Sequence, residues 1–210
     1  MYAFKEIFLT LQGEGGQTGR VSVFARFAGC NLWSGREIDR ASAACDFCDT
    51  DFVGIDGEGG GKFATPEEVV AALDAVWGEG RESGRAVVFT GGEPLLQLDE
   101  ALISAVKAAG YFIAVETNGT IKASAGIDWI CVSPKADNRL HQTSGHELKL
   151  VWPQHGVDPR DFLAMDFERF YLQPKDDAAR DANIRAVIVY CLAHPRWRMS
   201  VQTHKLVGLK

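Results

Sequence analysis

Residues 21–30 of the chain read Val-Ser-Val-Phe-Ala-Arg-Phe-Ala-Gly-Cys. The first eight are largely apolar and rich in β-branched and aromatic side chains, as in a strand buried on both faces of a parallel sheet. Gly29 ends this strand, and Cys30 opens a loop at its carboxyl end. Because ligands of parallel α/β folds bind at that end of the strands, the stretch predicts a core strand that delivers a cysteine to a functional edge.

The loop after Cys30 carries two more cysteines, Cys45 and Cys48, in the sequence Cys-Asp-Phe-Cys-Asp-Thr. Such clustering, in a chain without a recognisable secretory signal, favours metal binding over disulfides. Two kinds of site are open on spacing alone. One is a 4Fe–4S cluster whose fourth iron lacks a protein ligand, and the other is a zinc site completed by a distant residue. Cys131 and Cys191 lie in apolar surroundings and are expected to be small core residues.

Strands alternate with helices or short crossovers along the rest of the chain. After an extended segment at 2–11, further strands are predicted at 86–89, 112–115, 129–132, 147–151, 169–172 and 198–201. Thr65 and Pro66 indicate the start of a helix, and two more helices are predicted around 102–106 and 184–192. The last is expected to direct Ile184, Val187, Ile188, Cys191 and Leu192 inward.

Several connections in this pattern, such as residues 117–128, are too short for a full helix. We therefore predict an α/β fold with an incomplete, or partial, parallel β/α barrel whose working face lies at the strand carboxyl ends. Residues 1–210 are expected to form a single domain, because no linker-like segment interrupts the pattern.

Charge and hydropathy exclude two classes of partner. The net charge is −6, and no run of lysine or arginine forms the basic patch that nucleic-acid binding requires. No segment approaches the roughly 20 uninterrupted apolar residues of a membrane span, and the first residues do not resemble a signal peptide. We expect a cytoplasmic protein that binds neither nucleic acid nor membrane.

Two motifs together resemble the radical S-adenosylmethionine (SAM) superfamily. The first is the cysteine loop, and the second is Thr90-Gly91-Gly92-Glu93-Pro94, which follows the next predicted strand. Within that superfamily the chain is similar to the 7-carboxy-7-deazaguanine synthase family. The segments that carry this narrower resemblance are 11–15, 26–33, 116–119, 133–135, 173–174 and 202–205. The fourteen residues between Cys30 and Cys45 resemble the modified cluster-binding loop of one branch of the family.

The resemblance implies that Cys30, Cys45 and Cys48 ligate a 4Fe–4S cluster, whose open iron binds SAM. Reductive cleavage of SAM would then yield methionine and a 5′-deoxyadenosyl radical. Glu93 is expected to accept a hydrogen bond from the methionine amino group, and Phe47 to pack toward the adenine. The implied SAM-binding residues are Phe47, Cys48, Asp49, Gly91, Gly92, Glu93, Ser133, Pro134, Lys135, Gln173, Pro174, Lys175 and Asp176.

The implied reaction is the ring contraction of 6-carboxy-5,6,7,8-tetrahydropterin with loss of ammonia, a step toward queuosine-type nucleosides of tRNA. Arg26 is expected to bind the substrate carboxylate as a bidentate fork, with a structural ion pair as the alternative. Thr50 matches the family's position for a Mg²⁺ ligand. The implied substrate-binding residues are Leu11, Gln12, Gly13, Glu14, Arg26, Thr90, Glu116, Asn118 and Lys210, the last through its terminal carboxylate.

Two other functions compete with this interpretation. Another radical SAM enzyme, such as a glycyl-radical activase, would need a broad docking surface for its protein substrate. A zinc-stabilised binding protein would need no chemistry at all. The resemblance further implies a flavodoxin-type or other reductant as partner and a homodimer.

Overall fold

The computed structural model describes residues 1–81, 84–136 and 138–210. Its strands are β1 Tyr2–Leu11, β2 Val21–Phe27, β3 Gly61–Phe63, β4 Ala86–Gly91, β5 Phe112–Thr117, β6 Trp129–Val132, β7 Ser144–Trp152, β8 Asp166–Pro174 and β9 Trp197–Met199. Its α-helices are α1 Pro66–Trp77, α2 Glu100–Ala108, α3 Arg180–Ala193 and α4 Thr203–Val207. Within these described residues, no helix is long and apolar enough to cross a membrane.

All nine strands form one sheet in the order β3-β1-β2-β4-β5-β6-β7-β8-β9. The pairs from β2 to β9 are parallel, whereas β1 pairs antiparallel with both β2 and β3. The predicted incomplete barrel is confirmed, because the sheet does not close. Short connections explain this, since residues 118–128 contain no helix that could cover another face.

Strand side chains alternate between a helix-covered face and a polar concave face. On β2, Val23, Ala25 and Phe27 pack into a core with α1 and α2. Arg26 lies between them in sequence and therefore points to the opposite face. The same alternation on β7 buries Leu148 and Leu150 in a second core, beside α3 and β9. Every second residue of each strand therefore faces the concave side of the sheet.

Helix α1 begins as its sequence predicts. Thr65 is the N-cap residue and accepts a hydrogen bond from the amide of Glu68, while Pro66 occupies the first turn, where its missing N–H costs nothing. Buried Val69, Leu73 and Trp77 then face the sheet. The cap and the apolar spacing together fix both the start and the buried face of this helix.

The predicted inward face of α3 is confirmed for only part of its residues. Val187 is buried and Cys191 packs against the same core, but Ile188 is 41% exposed and Leu192 is 79% exposed. The helix contacts β8 and β9 at the end of the sheet, and within the described residues no other helix packs against it to a similar extent, so only a narrow stripe is covered. The predicted strand at 198–201 is three residues long, Trp197–Met199, and is followed by the short helix α4.

Candidate active site

Two cavities open at the carboxyl edge of the parallel strands and meet each other. The first has a volume of 290 Å³ and lies beside β1 and β2. The second has a volume of 190 Å³ and lies between the cysteine loop and the ends of β5 to β8. Residues common to both are Glu14, Asp49, Thr50, Thr90, Glu116 and Gln202. Two ligands bound side by side would therefore face each other across these six residues.

The cysteine loop forms one wall of the second cavity. Cys45 and Cys48 line it directly, whereas Cys30 lies behind, with its Sγ accepting a hydrogen bond from the Leu32 amide. Burial raises the pKa values of Cys30 and Cys45, so these thiols carry protons until a metal displaces them. All five cysteines are free.

The three thiols of the cysteine loop are not gathered around one point in this structure. Among the described residues, Glu116, Cys131 and Glu147 have ligand atoms within 4.8 Å of one another, whereas Cys30, Cys45 and Cys48 form no such group. Both a 4Fe–4S cluster and a zinc site completed by a distant residue therefore stay open on this geometry.

Gly91 and Gly92 pack directly beneath the cysteine loop. Gly91 has φ +134°, and a Cβ atom there would overlap the Phe27 carbonyl. A Cβ on Gly92 would overlap the Gly29 carbonyl and come within 2.7 Å of Cys30 Cβ. The two glycines are therefore required for the backbone of β4 to approach the cluster loop.

Glu93 follows Gly92 directly, and its carboxylate is buried. The carboxylate accepts hydrogen bonds from the Leu95 amide, the Thr117 hydroxyl and the Asn118 amide at 3.0, 2.7 and 2.8 Å. Burial raises the pKa of this carboxyl group. The side chain thus connects the end of β4 to the end of β5, and its contact with the methionine amino group stays a prediction.

Most predicted SAM-binding residues line the second cavity. Lys135 and Lys175 place their ammonium groups 5.4 and 5.6 Å from the centre of the Phe47 ring. Pro134 does not line the cavity; its carbonyl accepts a hydrogen bond from Gln154 instead. The predicted residues that do line it are Phe47, Cys48, Asp49, Gly91, Gly92, Ser133, Lys135, Gln173, Pro174, Lys175 and Asp176.

The first cavity gathers eight of the nine predicted substrate-binding residues: Leu11, Gln12, Gly13, Glu14, Arg26, Thr90, Glu116 and Lys210. Asn118 is the exception, because it lines the second cavity and donates a hydrogen bond to Asn31, next to Cys30. It connects the end of β5 to the cysteine loop, and its role as a substrate ligand stays a prediction.

Arg26 forms an ion pair and also faces the first cavity. Its Nε lies 2.8 Å from Glu6 Oε1. In the described part of the chain this is its one hydrogen bond, so both terminal nitrogens of the fork remain available. Glu6 also contacts the ammonium group of Lys210 at 2.7 Å. Lys210 lines the same cavity, with its ammonium group beside Glu6.

A buried network of charges separates the two cavities. The Nζ atom of Lys149 lies 2.7 Å from Glu14 and 2.8 Å from Glu116, and 4% of the lysine side chain is exposed. Burial would raise the pKa of Glu14, but Lys149, Gln202 and Gln173 lower it to about 2. Although burial also disfavours the charged lysine, the surrounding anionic groups hold the pKa of Lys149 well above its usual value.

Comparison with known proteins identifies the family. The radical SAM superfamily model matches residues 39–150. A 7-carboxy-7-deazaguanine synthase from Caulobacter vibrioides is 66% identical to this chain, over 99% of both chains. One from Bordetella pertussis is 60% identical over 99% of both. The chain belongs to the 7-carboxy-7-deazaguanine synthase family. In fold it is similar to QueE from Escherichia coli, with a TM-score of 0.66 and 24% identity over 96% of this chain and 93% of that one.

The family implies a 4Fe–4S cluster and SAM, and the donors in the second cavity fit both groups. Three thiols stand beside that cavity. Lys135, Lys175 and Asp176 supply charged partners for a zwitterionic cofactor, and Phe47 supplies an aromatic face. These residue types match what an amino acid joined to an adenosine requires.

The sequence of this 7-carboxy-7-deazaguanine synthase family member did not reveal five charged residues that line the two cavities. They are Lys5, Glu6, Asp51, Lys149 and Lys205. The sequence of β7 did indicate Lys149. Glu147, Lys149 and Val151 alternate with the apolar Leu148 and Leu150, and the first two are charged. Charged side chains at every second position of a buried strand indicate a polar cavity on one face.

Proposed function

We propose that the chain is a 7-carboxy-7-deazaguanine synthase that converts 6-carboxy-5,6,7,8-tetrahydropterin to 7-carboxy-7-deazaguanine with loss of ammonia. The proposal rests on one observation: in this member of the family, the two cavities meet. Thr90, Glu14 and Glu116 line both cavities, so a pterin in the first would lie against SAM in the second.

Cys30, Cys45 and Cys48 would hold the 4Fe–4S cluster, and residues of the second cavity would hold SAM. When bound and reduced, these groups supply a carbon-centred radical that removes a hydrogen atom from the substrate. The protein positions the reactants and excludes water. Gly91 and Gly92 let the backbone of β4 come close to the cluster loop, and Phe47 provides the stacking surface for the adenine.

The first cavity offers partners for both ends of the pterin. The free terminal nitrogens of Arg26 match a carboxylate in bidentate geometry, while Lys210 adds a second positive charge nearby. The amino group and ring N–H at the other end need acceptors, which Glu14 and Glu116 supply as carboxylates. The cavity is thus cationic at one end and anionic at the other, as the substrate requires.

Thr50 would contribute one ligand to a Mg²⁺ ion at the junction. Magnesium keeps several waters and binds few protein oxygens, so a single hydroxyl suffices when substrate oxygens complete the shell. Thr50 lines both cavities, which supports this position.

The enzyme would act in the cytoplasm as a single-domain protein, with a flavodoxin-type reductant. It would form a homodimer, and exposed apolar side chains on α3, Ile188, Val189 and Leu192, support a protein contact there.

The proposal is tested by anaerobic turnover with dithionite, SAM and the carboxytetrahydropterin, following 5′-deoxyadenosine and 7-carboxy-7-deazaguanine together. 7-Carboxy-7-deazaguanine is expected in excess of 5′-deoxyadenosine, because loss of ammonia is redox-neutral overall and the abstracted hydrogen atom must return to the product. Cys45→Ala should give neither. If 5′-deoxyadenosine forms without 7-carboxy-7-deazaguanine, the radical SAM activity stands but the proposed substrate is wrong. A colourless protein with stoichiometric zinc would overturn the enzymatic function altogether.

A further inference from the structure

One buried cation at the boundary of the two cavities faces several acidic groups. Lys149 contacts Glu14 and Glu116 directly. Glu116, Cys131 and Glu147 have ligand atoms within 4.8 Å of one another. Two carboxylates therefore contact the single ammonium group of a side chain that is 4% exposed, and a third carboxylate lies close to one of them. Such a cluster is costly unless each charge has a defined partner.

The hydrogen bonds around Glu14 leave its carboxylate little freedom. Oε2 accepts from Lys149 at 2.7 Å, and Oε1 accepts from the side chains of Gln173 and Gln202 at 3.0 and 2.9 Å. A carboxylate has about four acceptor positions, so three are used. Glu14 can rotate only if these bonds break.

Glu116 is held in the same way but keeps more acceptor capacity. Oε2 accepts from Lys149 at 2.8 Å, and Oε1 accepts from Gln12 at 3.2 Å. About two of its four acceptor positions remain, and the residue lines both cavities. A donor edge in the first cavity would find these positions oriented beforehand.

We infer that Lys149 is a positioning residue, which holds Glu14 and Glu116 as a fixed pair of acceptors for the amino and ring N–H edge of the pterin. The inference rests on the proposed function. Without the ammonium group, two carboxylates at the same place repel each other, so one rotates away or takes a proton and ceases to accept. Lys149 lines the second cavity only, whereas Glu14 and Glu116, to which it donates its hydrogen bonds, line the first cavity as well.

The test compares the reconstituted holoenzyme with Lys149→Met, with Lys149→Met/Glu14→Gln, and with Lys107→Met as control. Lys107 pairs with Asp128, which directly precedes β6 at the amino-terminal edge of the strands, and neither residue lines either cavity. Dissociation constants for carboxytetrahydropterin and for SAM are measured by equilibrium dialysis without reductant. Thermal unfolding and the ratio of 5′-deoxyadenosine to deazaguanine are measured on the same preparations.

Lys149→Met should weaken pterin binding between about 10-fold and 100-fold, the effect of one lost hydrogen bond to a charged group. SAM binding should change less than about threefold, and deoxyadenosine should exceed the deazaguanine product. The double variant removes the unpaired charge and should regain stability without regaining pterin affinity. If Lys149→Met does not fold, the double variant supplies the measurement.

If Lys149→Met binds the pterin as tightly as the wild type, the inference is wrong but the proposed function is not. The same holds if the double variant regains pterin affinity along with stability. A wild-type enzyme that neither binds nor converts the pterin would overturn the proposed function, and this inference with it. The two failures are thus distinguished by the wild-type measurement.

Discussion

Lys205 and Asp49 form an ion pair that joins the C-terminal helix α4 to the cysteine loop. The Nζ atom of Lys205 lies 2.7 Å from Asp49 Oδ2, and Asp49 directly follows Cys48. The same ammonium group lies 2.6 Å from Asp176, just beyond β8. Lys205 of α4 therefore joins Asp49 and Asp176, which lie on two walls of the second cavity.

Lys205→Met should weaken SAM binding about fivefold, because the loss of these partly exposed ion pairs is worth about 1 kcal/mol. The cysteine loop loses its connection to α4, while the three thiols themselves are unchanged. Equilibrium dialysis with SAM measures the effect, and Lys62→Met on the exposed edge strand β3 is the control. Equal affinities for the two variants would refute the bridging role.

The segment between Cys30 and Cys45 folds as a small cap held by Arg40. The guanidinium group lies over the Trp33 ring at 4.1 Å and donates hydrogen bonds to the carbonyls of Asp46 and Cys48 at 2.9 and 3.1 Å. Arg40→Met should accelerate loss of the cluster in air several-fold, followed as bleaching of its visible absorbance. Arg36→Met is a matched control in the same cap, because its side chain is mostly exposed. Equal bleaching rates would show that the cap does not protect the loop.

Glu93→Gln should lower the free energy of unfolding by about 1–3 kcal/mol, because the amide group presents a donor where the structure needs an acceptor. Glu93 now accepts three hydrogen bonds from β5 and its own turn. Urea unfolding measures the loss, with Glu79→Gln on the surface as control. An unchanged unfolding midpoint would contradict the assigned hydrogen bonds.

The cysteine loop and all strands except the short β3, Gly61–Phe63, could be predicted from sequence because local signals specify them. Apolar runs that end in glycine or polar residues give the strands, and three closely spaced cysteines have few structural uses. Arg26 was identifiable because a charged side chain in an otherwise apolar strand must face a cavity or a partner. The structure gives it both, Glu6 and the first cavity.

Contacts between distant segments could not be predicted from local pattern. Lys149 meets Glu14 across 135 positions of sequence, and Lys205 meets Asp49 across 156. The hydrogen bonds of Glu93 have a similar origin. Its motif suggests a ligand, but no local pattern predicts that Thr117 and Asn118, at the end of β5, donate to its carboxylate. The predicted inward face of α3 was too wide, because the spacing of apolar residues does not indicate how much of a helix the sheet covers.

Thr50→Val should abolish the response of turnover to Mg²⁺ while preserving the volume of the side chain. If Thr50 supplies a magnesium ligand, wild-type activity falls when the metal is removed with a chelator and returns on addition of Mg²⁺. The variant should be about tenfold less active with Mg²⁺, the effect of one lost polar contact, and should not respond to the chelator. Thr50→Ser keeps the hydroxyl group and serves as control. A variant with normal Mg²⁺ activation would place the ion elsewhere.

The buried pair of Glu14 and Lys149 should give acid sensitivity with a defined sign. The pKa of Glu14 is lowered from 4.5 to about 2, so the ionised form stabilises the folded state. This contribution is complete above about pH 4.5 and is lost as the pH falls toward about 2. The charged groups around the Glu14 carboxyl group are Lys149, Glu116, Glu147 and Asp49.

Urea unfolding of the wild type between about pH 6 and pH 3 should show the free energy of unfolding falling with pH. Glu14→Gln should be less stable than the wild type at pH 6 and approach it as the pH falls. Glu79→Gln should follow the wild-type curve throughout. A constant difference between wild type and Glu14→Gln across this range would mean that Glu14 does not titrate below its ordinary value.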